Sequence, residues 1–117
     1  RPAMEILLEE IDDDIHVLRA DGGINGANAE QMVDDVIGTI DAGARTIIVD
    51  CSGLKIISST GLATLLMLHS RGRTHGAEVK VAAVNGFVAQ VLQITRLNVV
   101  LSIHPDVNRA KLAFRED

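Results

Sequence analysis

Two short runs, Thr46-Ile47-Ile48-Val49 and Val79-Lys80-Val81-Ala82-Ala83-Val84, constrain the fold of this chain more than any other feature. The first is β-branched at every position, the mark of a strand covered on both faces, and the second reads as another buried strand. Such strands belong to the middle of a parallel sheet, which needs helical crossovers between them. The intervening sequence supplies them. Asn28 can cap a helix with Gln31 at the reciprocal position, and Met32, Val36, Ile37 and Ile40 fall on one face. Glu30, Asp34, Asp35 and Asp41 surround the rest, and Gly43 ends it.

A second helix is predicted over residues 60–71, broken by Gly72 and Gly76, and a third over 86–95 with Val88, Val91 and Leu92 inward. Residues 99–103 read as a last short strand closed by Pro105, before a terminal helix carrying Val107, Ala110, Leu112 and Phe114. At the other end, residues 5–8 and 15–19 read as a hairpin whose turn is the acidic stretch 9–14. The order β-β-α-β-α-β-α-β-α predicts a single α/β domain over residues 1–117. Its sheet is mostly parallel and four- to five-stranded, with an antiparallel edge hairpin and about four helices. Residues 1–3 stand apart, as a cloning remnant or a disordered start. Whether the helices cover one face of the sheet or both is left open by the pattern.

Composition narrows the function. Two Phe and no Tyr or Trp leave an aliphatic core and no platform on which bases could stack. Eleven basic against sixteen acidic residues, a net charge of −5, give no field to draw phosphates, so nucleic acid is excluded as a partner. The apolar runs fall short of the roughly 20 residues of a membrane span, and no secretory leader is evident. Cys51 is the only cysteine, which fits a reducing, cytoplasmic setting. His16, His69, His75 and His104 show no i,i+4 pair and no paired cysteine, so no metal site is expected.

Chemistry is concentrated in Asp50-Cys51-Ser52-Gly53-Leu54-Lys55-Ile56-Ile57-Ser58-Ser59-Thr60-Gly61-Leu62, just past the carboxyl end of a buried strand and leading into a helix. Read locally, Ser58 or Ser59 caps the helix, Thr60 starts it, and Gly61 lets the backbone approach the sheet. Alternatively one hydroxyl is a phosphorylation acceptor or a nucleophile at a helix end whose free N–H groups are partly positive. Ile57 stands two residues before Ser59, so the G-x-S-x-G elbow of serine hydrolases is absent, as is a phosphate-binding G-x-x-x-x-G-K-[ST] loop. The helix itself is apolar on nearly every side. Leu62, Leu65, Leu66 and His69 form one stripe, and Ala63 with Met67 offers an exposed flank for docking.

These residues resemble a known family. Asp50-x-Ser52 followed by Ile57-Ser58-Ser59-Thr60-Gly61-Leu62 is similar to the signature of STAS domains, specifically bacterial anti-sigma factor antagonists. Gly23-Ile24-Asn25, Ala42-Gly43-Ala44-Arg45 with Ile47-Ile48-Val49-Asp50, and the stretches 91–97 and 99–103 extend the resemblance over almost the whole chain. It departs from the family where Ser58 replaces the frequent Asp, Asn25 the loop Asp, and Arg96 the usual Gly. The resemblance implies a non-catalytic module without cofactor, phosphorylated on Ser59, with Ser58 as the alternative acceptor. It implies a partner surface of Asn25, Asp50, Ser58, Thr60, Gly61, Ala63, Thr64 and Met67. The implied partners are an anti-sigma factor that is also a serine kinase of the histidine-kinase-like ATPase type, and a PP2C-type, metal-dependent phosphatase. The competing reading is a STAS subunit of a larger signalling scaffold or lipid-transport complex.

Overall fold

The β-branched run 46–49 becomes the central strand of a five-stranded sheet. The structure, a computed structural model, describes residues 5–12 and 15–116, with side chains described for 15–114. In chain order the elements are β1 (Glu5–Asp12), β2 (Ile15–Asp21), α1 (Ala29–Asp41), β3 (Thr46–Asp50), α2 (Ser59–Thr74), β4 (Glu78–Ala82), α3 (Gly86–Ile94), α4 (Leu97–Val100), β5 (Ser102–His104) and α5 (Val107–Glu116). The strands lie in sequence order, β1-β2-β3-β4-β5. β1 is antiparallel to β2, and β2 through β5 are parallel, with Val17 beside Ile48, Ile48 beside Lys80, and Lys80 beside Ser102. The expected α/β fold with its antiparallel edge hairpin is therefore the one observed.

The side-chain alternation of the strands settles which faces are covered. Leu18, Ala20, Ile47, Val49, Val79 and Val81 point to a large core shared with Met32, Val33, Val36 and Ile40 of α1, Leu65 and Leu68 of α2, and Val88 and Leu92 of α3. Ile15, Val17, Ile48 and Ala82 point the other way, to a small core closed by Ala110 of α5 with Val107 and Phe114 packed against it. Helices thus cover both faces, unequally. Each fully buried aliphatic side chain stabilises by about 1.5–3 kcal/mol, so most of the hydrophobic stabilisation lies on the α1–α2–α3 side.

Several local expectations are corrected. The acidic residues 9–12 belong to β1 rather than to a turn, with a register shift between Glu10 and Asp12; residues 13 and 14 lie outside the described residues. Asn28 precedes α1, but its side chain does not cap it. Its Oδ1 instead accepts from Asn25 N–H (2.8 Å), and Gln31 bonds Asp35 (2.6 Å), so no capping box forms. Gly72 does not break α2. It lies inside the helix, buried against β4, where a Cβ would come within 2.7 Å of Val79 Cγ2. The helix stops at Gly76, whose φ of +88° only glycine adopts without strain.

Residues 99–103 are not one strand. Arg96 takes a left-handed conformation (φ 65°), ends α3 and starts the single turn of α4, so Val99 and Val100 are helical and β5 is confined to Ser102–His104.

Candidate functional site

Asp50 ends β3 and turns the chain. Its Oδ1 accepts from Ser52 N–H (2.9 Å) and its Oδ2 from Arg19 Nε (3.2 Å) on the neighbouring strand, leaving the residue 7% exposed. Satisfied in this way, the carboxylate serves as an anchor for the loop rather than as a contact surface. Cys51 follows, fully buried, with its N–H on Ala82 O (2.9 Å). Burial, reinforced by the nearby Asp50 charge, pushes its thiol up to about 12, so it stays protonated and inert at neutral pH.

The loop from Cys51 to Ser58 is clamped from two sides. Leu54 is buried and bridges Gly22, and Gly53 passes so close to the end of β2 that a Cβ would collide with Asp21 Oδ1 and approach Ala20 O to 2.9 Å. From the β4–α3 side, Asn85 Nδ2 donates to Leu54 O (3.0 Å) and Lys55 O (3.2 Å), while its Oδ1 accepts from Val88 N–H (2.8 Å) and caps α3. Gly53 falls within the corner segment with no local sign of this role, and Asn85 lies outside that segment. The only signal for Asn85 is a capping residue just before a helix, and nothing local marks its second role.

Beyond this clamp the two serines part. Ser58 is extended (φ −96°, ψ 175°), and its Oγ accepts from Gly61 N–H (3.2 Å) while its carbonyl accepts from Leu62 N–H (2.9 Å). It is the N-cap. Ser59 is the first residue of α2 and is exposed, and among the described residues no hydrogen bond holds its hydroxyl. No acidic residue stands in the first turn of α2, so the partly positive helix end is not already neutralised by a carboxylate. The local choice between Ser58 and Ser59 as cap is thereby resolved in favour of Ser58.

The other expected site residues divide by accessibility. Asn25, in the β2–α1 loop at the same end of the sheet, is exposed, but its Oδ1 accepts from Ala27 (2.8 Å) and Asn28 (3.2 Å) N–H groups and shapes its own loop. Thr60 is half-buried and Ala63 exposed. Met67 is half-buried against the core and lies beside α1, so it is not the freely exposed flank expected of it. Thr64 is 1% exposed with its hydroxyl on Thr60 O (2.7 Å), and Gly61 is buried. Neither can meet a partner directly. A Cβ on Gly61 would meet Ile57 Cγ1 at 2.7 Å, so this glycine makes room for its own loop and not for the sheet. Among the described residues no group of three His, Cys, Asp or Glu side chains is placed to hold a metal ion.

This geometry, a clamped strand-to-helix corner presenting a free hydroxyl, coincides with a family match. The model of the STAS domain matches residues 6–110, nearly the whole chain. The chain belongs to the STAS domain family.

This STAS domain is 29% identical to BtrV of Bordetella bronchiseptica, an anti-sigma factor antagonist by name, over 94% of this chain and 91% of the relative. Among solved structures it superimposes on the Thermotoga maritima protein TM1081, also called an anti-sigma factor antagonist, with a TM-score of 0.84 at 22% identity over 94% of both chains. It superimposes on the Bacillus protein SpoIIAA in its unphosphorylated form with a TM-score of 0.78 at 20% identity, over 97% of this chain and 98% of that one. At those identities the structural likenesses establish the fold. No helix among the described residues is long and apolar enough to cross a membrane.

Proposed function

We propose that this STAS domain is an anti-sigma factor antagonist: a cytoplasmic binding module whose grip on an anti-sigma factor is switched by phosphorylation of Ser59. The observation that carries this reading is the unengaged Ser59 hydroxyl on the first residue of α2, beside a serine already committed to capping. In the unmodified state the domain binds an anti-sigma factor that is also a serine kinase of the histidine-kinase-like ATPase type, and the sigma factor is released. The kinase transfers the γ-phosphoryl group of ATP to Ser59 Oγ, the Oγ–P bond forming as the bond to the ADP leaving group breaks and the hydroxyl proton departs. A PP2C-type, metal-dependent phosphatase restores the hydroxyl by hydrolysis, water attacking phosphorus as the bond to Ser59 Oγ breaks and inorganic phosphate leaves.

Charge explains the release. A phosphoserine brings roughly −1.5 to −2 charges and three acceptor oxygens. At the start of α2 these meet free N–H groups and are tolerated within the domain. Against a partner surface that has closed over a neutral hydroxyl, the same charge is buried without a matching cation. Such burial costs several kcal/mol, and each ~1.4 kcal/mol is a tenfold loss of affinity, so dissociation requires no change of fold. The test is to incubate the domain with serine kinases of this class from its own genome and ATP, and to follow intact mass. A single phosphoryl addition that persists in Ser58→Ala and vanishes in Ser59→Ala is expected. Addition that persists in Ser59→Ala rejects the assignment.

A further inference from the structure

Among the described residues, α3 and α4 leave an unusual share of apolar surface in water. Phe87, Ile94, Val99 and Val100 are all exposed, Ile94 by 81% and Val99 by 71%. Val88 and Leu92 are the buried residues of α3, and α4 has none. Phe87, Val91 and Ile94 are spaced i, i+4, i+7, so they form a second stripe along α3 beside the buried one. Val91, expected to face inward, is only half-buried. Leu97 ties α4 to the core, and Val99 and Val100 extend the apolar surface past the end of α3. The fold itself gains nothing from leaving these side chains in water.

Charge says what can cover them. No acidic residue occurs between Glu78 and Asp106, and Arg96 is the one charged residue of 86–101, in a chain of net charge −5. Two copies of such a chain repel, so a contact between them needs a surface free of carboxylates. α3 and α4 provide it. The stripe is also complementary to itself. In antiparallel contact about a two-fold axis near Val91, Phe87 of each copy meets Ile94 of the other, because the two lie four residues before Val91 and three after it. The exposed parts of Phe87, Ile94, Val99 and Val100 amount to on the order of 500 Å² of apolar surface. Covering it on both copies, together with its polar border, reaches the ~1,200 Å² at which specific interfaces begin, an area suited to a reversible dimer.

We propose that the α3–α4 face is a homodimer interface, on which a second copy of this chain packs about a two-fold axis near Val91. Ile94 lies about 13 Å along α3 from Asn85, the residue that clamps the corner, so the contact leaves both Ser59 hydroxyls open and does not depend on their phosphorylation.

The test is sedimentation equilibrium of the full chain from about 10 μM to about 1 mM, where a monomer–dimer equilibrium is expected. Ile94→Lys, at a position open enough to keep the fold, enters the contact once from each copy and is expected to weaken dimerisation by about tenfold or more. Leu112→Lys, on exposed α5, is expected to leave it unchanged. Cys51 is buried, so Val91→Cys carries the one accessible thiol, and mild oxidation is expected to give a covalent dimer that Leu112→Cys does not give. A chain that stays monomeric at the highest concentration overturns the dimer and leaves the face to a different protein. Wild-type dimerisation in Ile94→Lys overturns its placement on this face, and a dimer without the Val91→Cys cross-link overturns the axis.

Discussion

Ser58 and Ser59 are neighbours of identical chemistry, and the fold gives them separate jobs. Ser58 Oγ satisfies Gly61 N–H, one of the unpaired donors of the first turn, whereas Ser59 Oγ holds nothing among the described residues. Ser58→Ala is therefore expected to destabilise the domain by about 0.5–2 kcal/mol, and Ser59→Ala to change stability by less than about 0.5 kcal/mol. Urea denaturation of the two variants measures the difference, and equal losses would mean that Ser59 shares the capping. Gly53 is constrained by space in the same loop. A methyl there meets Asp21 Oδ1 and the Ala20 carbonyl, both held by β2, so Gly53→Ala is expected to cost roughly 1–3 kcal/mol. Gly26→Ala, in the neighbouring β2–α1 loop with nothing within 4 Å of the new Cβ, is the control and should melt near the wild-type temperature.

At the scale of elements, α5 stands apart. Among the described residues it alone covers the second face of the sheet, and Ala110 is its one fully buried side chain. Polar contacts line the same side. Lys80, 5% exposed on β4, donates to Glu78 Oε2 (2.9 Å) and Ser102 Oγ (3.2 Å) and lies 4.8 Å from the centre of the Phe114 ring of α5. Ser102 Oγ also meets His104 Nε2 (2.9 Å). Burial, and then the Lys80 charge, lower the His104 pKa below its usual 6.5, with Glu78 opposing them. A histidine whose folded pKa is lowered favours the neutral ring. Its contribution is present in full above the unfolded value and is lost as pH falls below about 6.5 through the folded one. Thermal melting between pH 7 and pH 5 should therefore fall more steeply for the wild type than for His104→Asn. Parallel slopes would place the acid sensitivity elsewhere.

The same scale shows what the sequence could and could not disclose. β3, α1 and α3 were legible because their apolar positions repeat with the period of their element, and residues 46–49 of β3 were unmistakable as a run of β-branched residues. Val99 and Val100 misled because β-branched residues also fit one helical turn, and it is Arg96, in a conformation its type rarely adopts, that starts that turn. The position of Ser59 was readable from the corner motif. Its freedom was not, since it depends on which of two serines caps. The Asn85 clamp joins residues about thirty apart and becomes visible only once β3 and β4 lie side by side.

For the whole molecule, the arrangement separates the proposed switch at Ser59 from what maintains the fold. The corner at the carboxyl end of β3 is clamped by Gly53 and Asn85, and the two cores lie on the flat faces of the sheet, away from the Ser59 hydroxyl. A charge placed on Ser59 meets the free N–H groups of α2, where a carboxylate stabilises by about 0.3–1 kcal/mol, and displaces no hydrogen bond among the described residues. Ser59→Asp is accordingly expected to melt within a few degrees of the wild type. In amide spectra its shifts should be confined to residues near the corner, such as Ile57, Ser58 and Gly61, with Ala110 and Phe114 on the far face unmoved. Its affinity for the kinase should nonetheless fall by an order of magnitude or more while Ser59→Ala binds like the wild type. The contrast between intact fold and lost binding identifies a switch that works by charge at an interface. Shifts spreading through the sheet to α5 would instead indicate a conformational relay, and equal affinity of the two variants would remove Ser59 from the interface altogether.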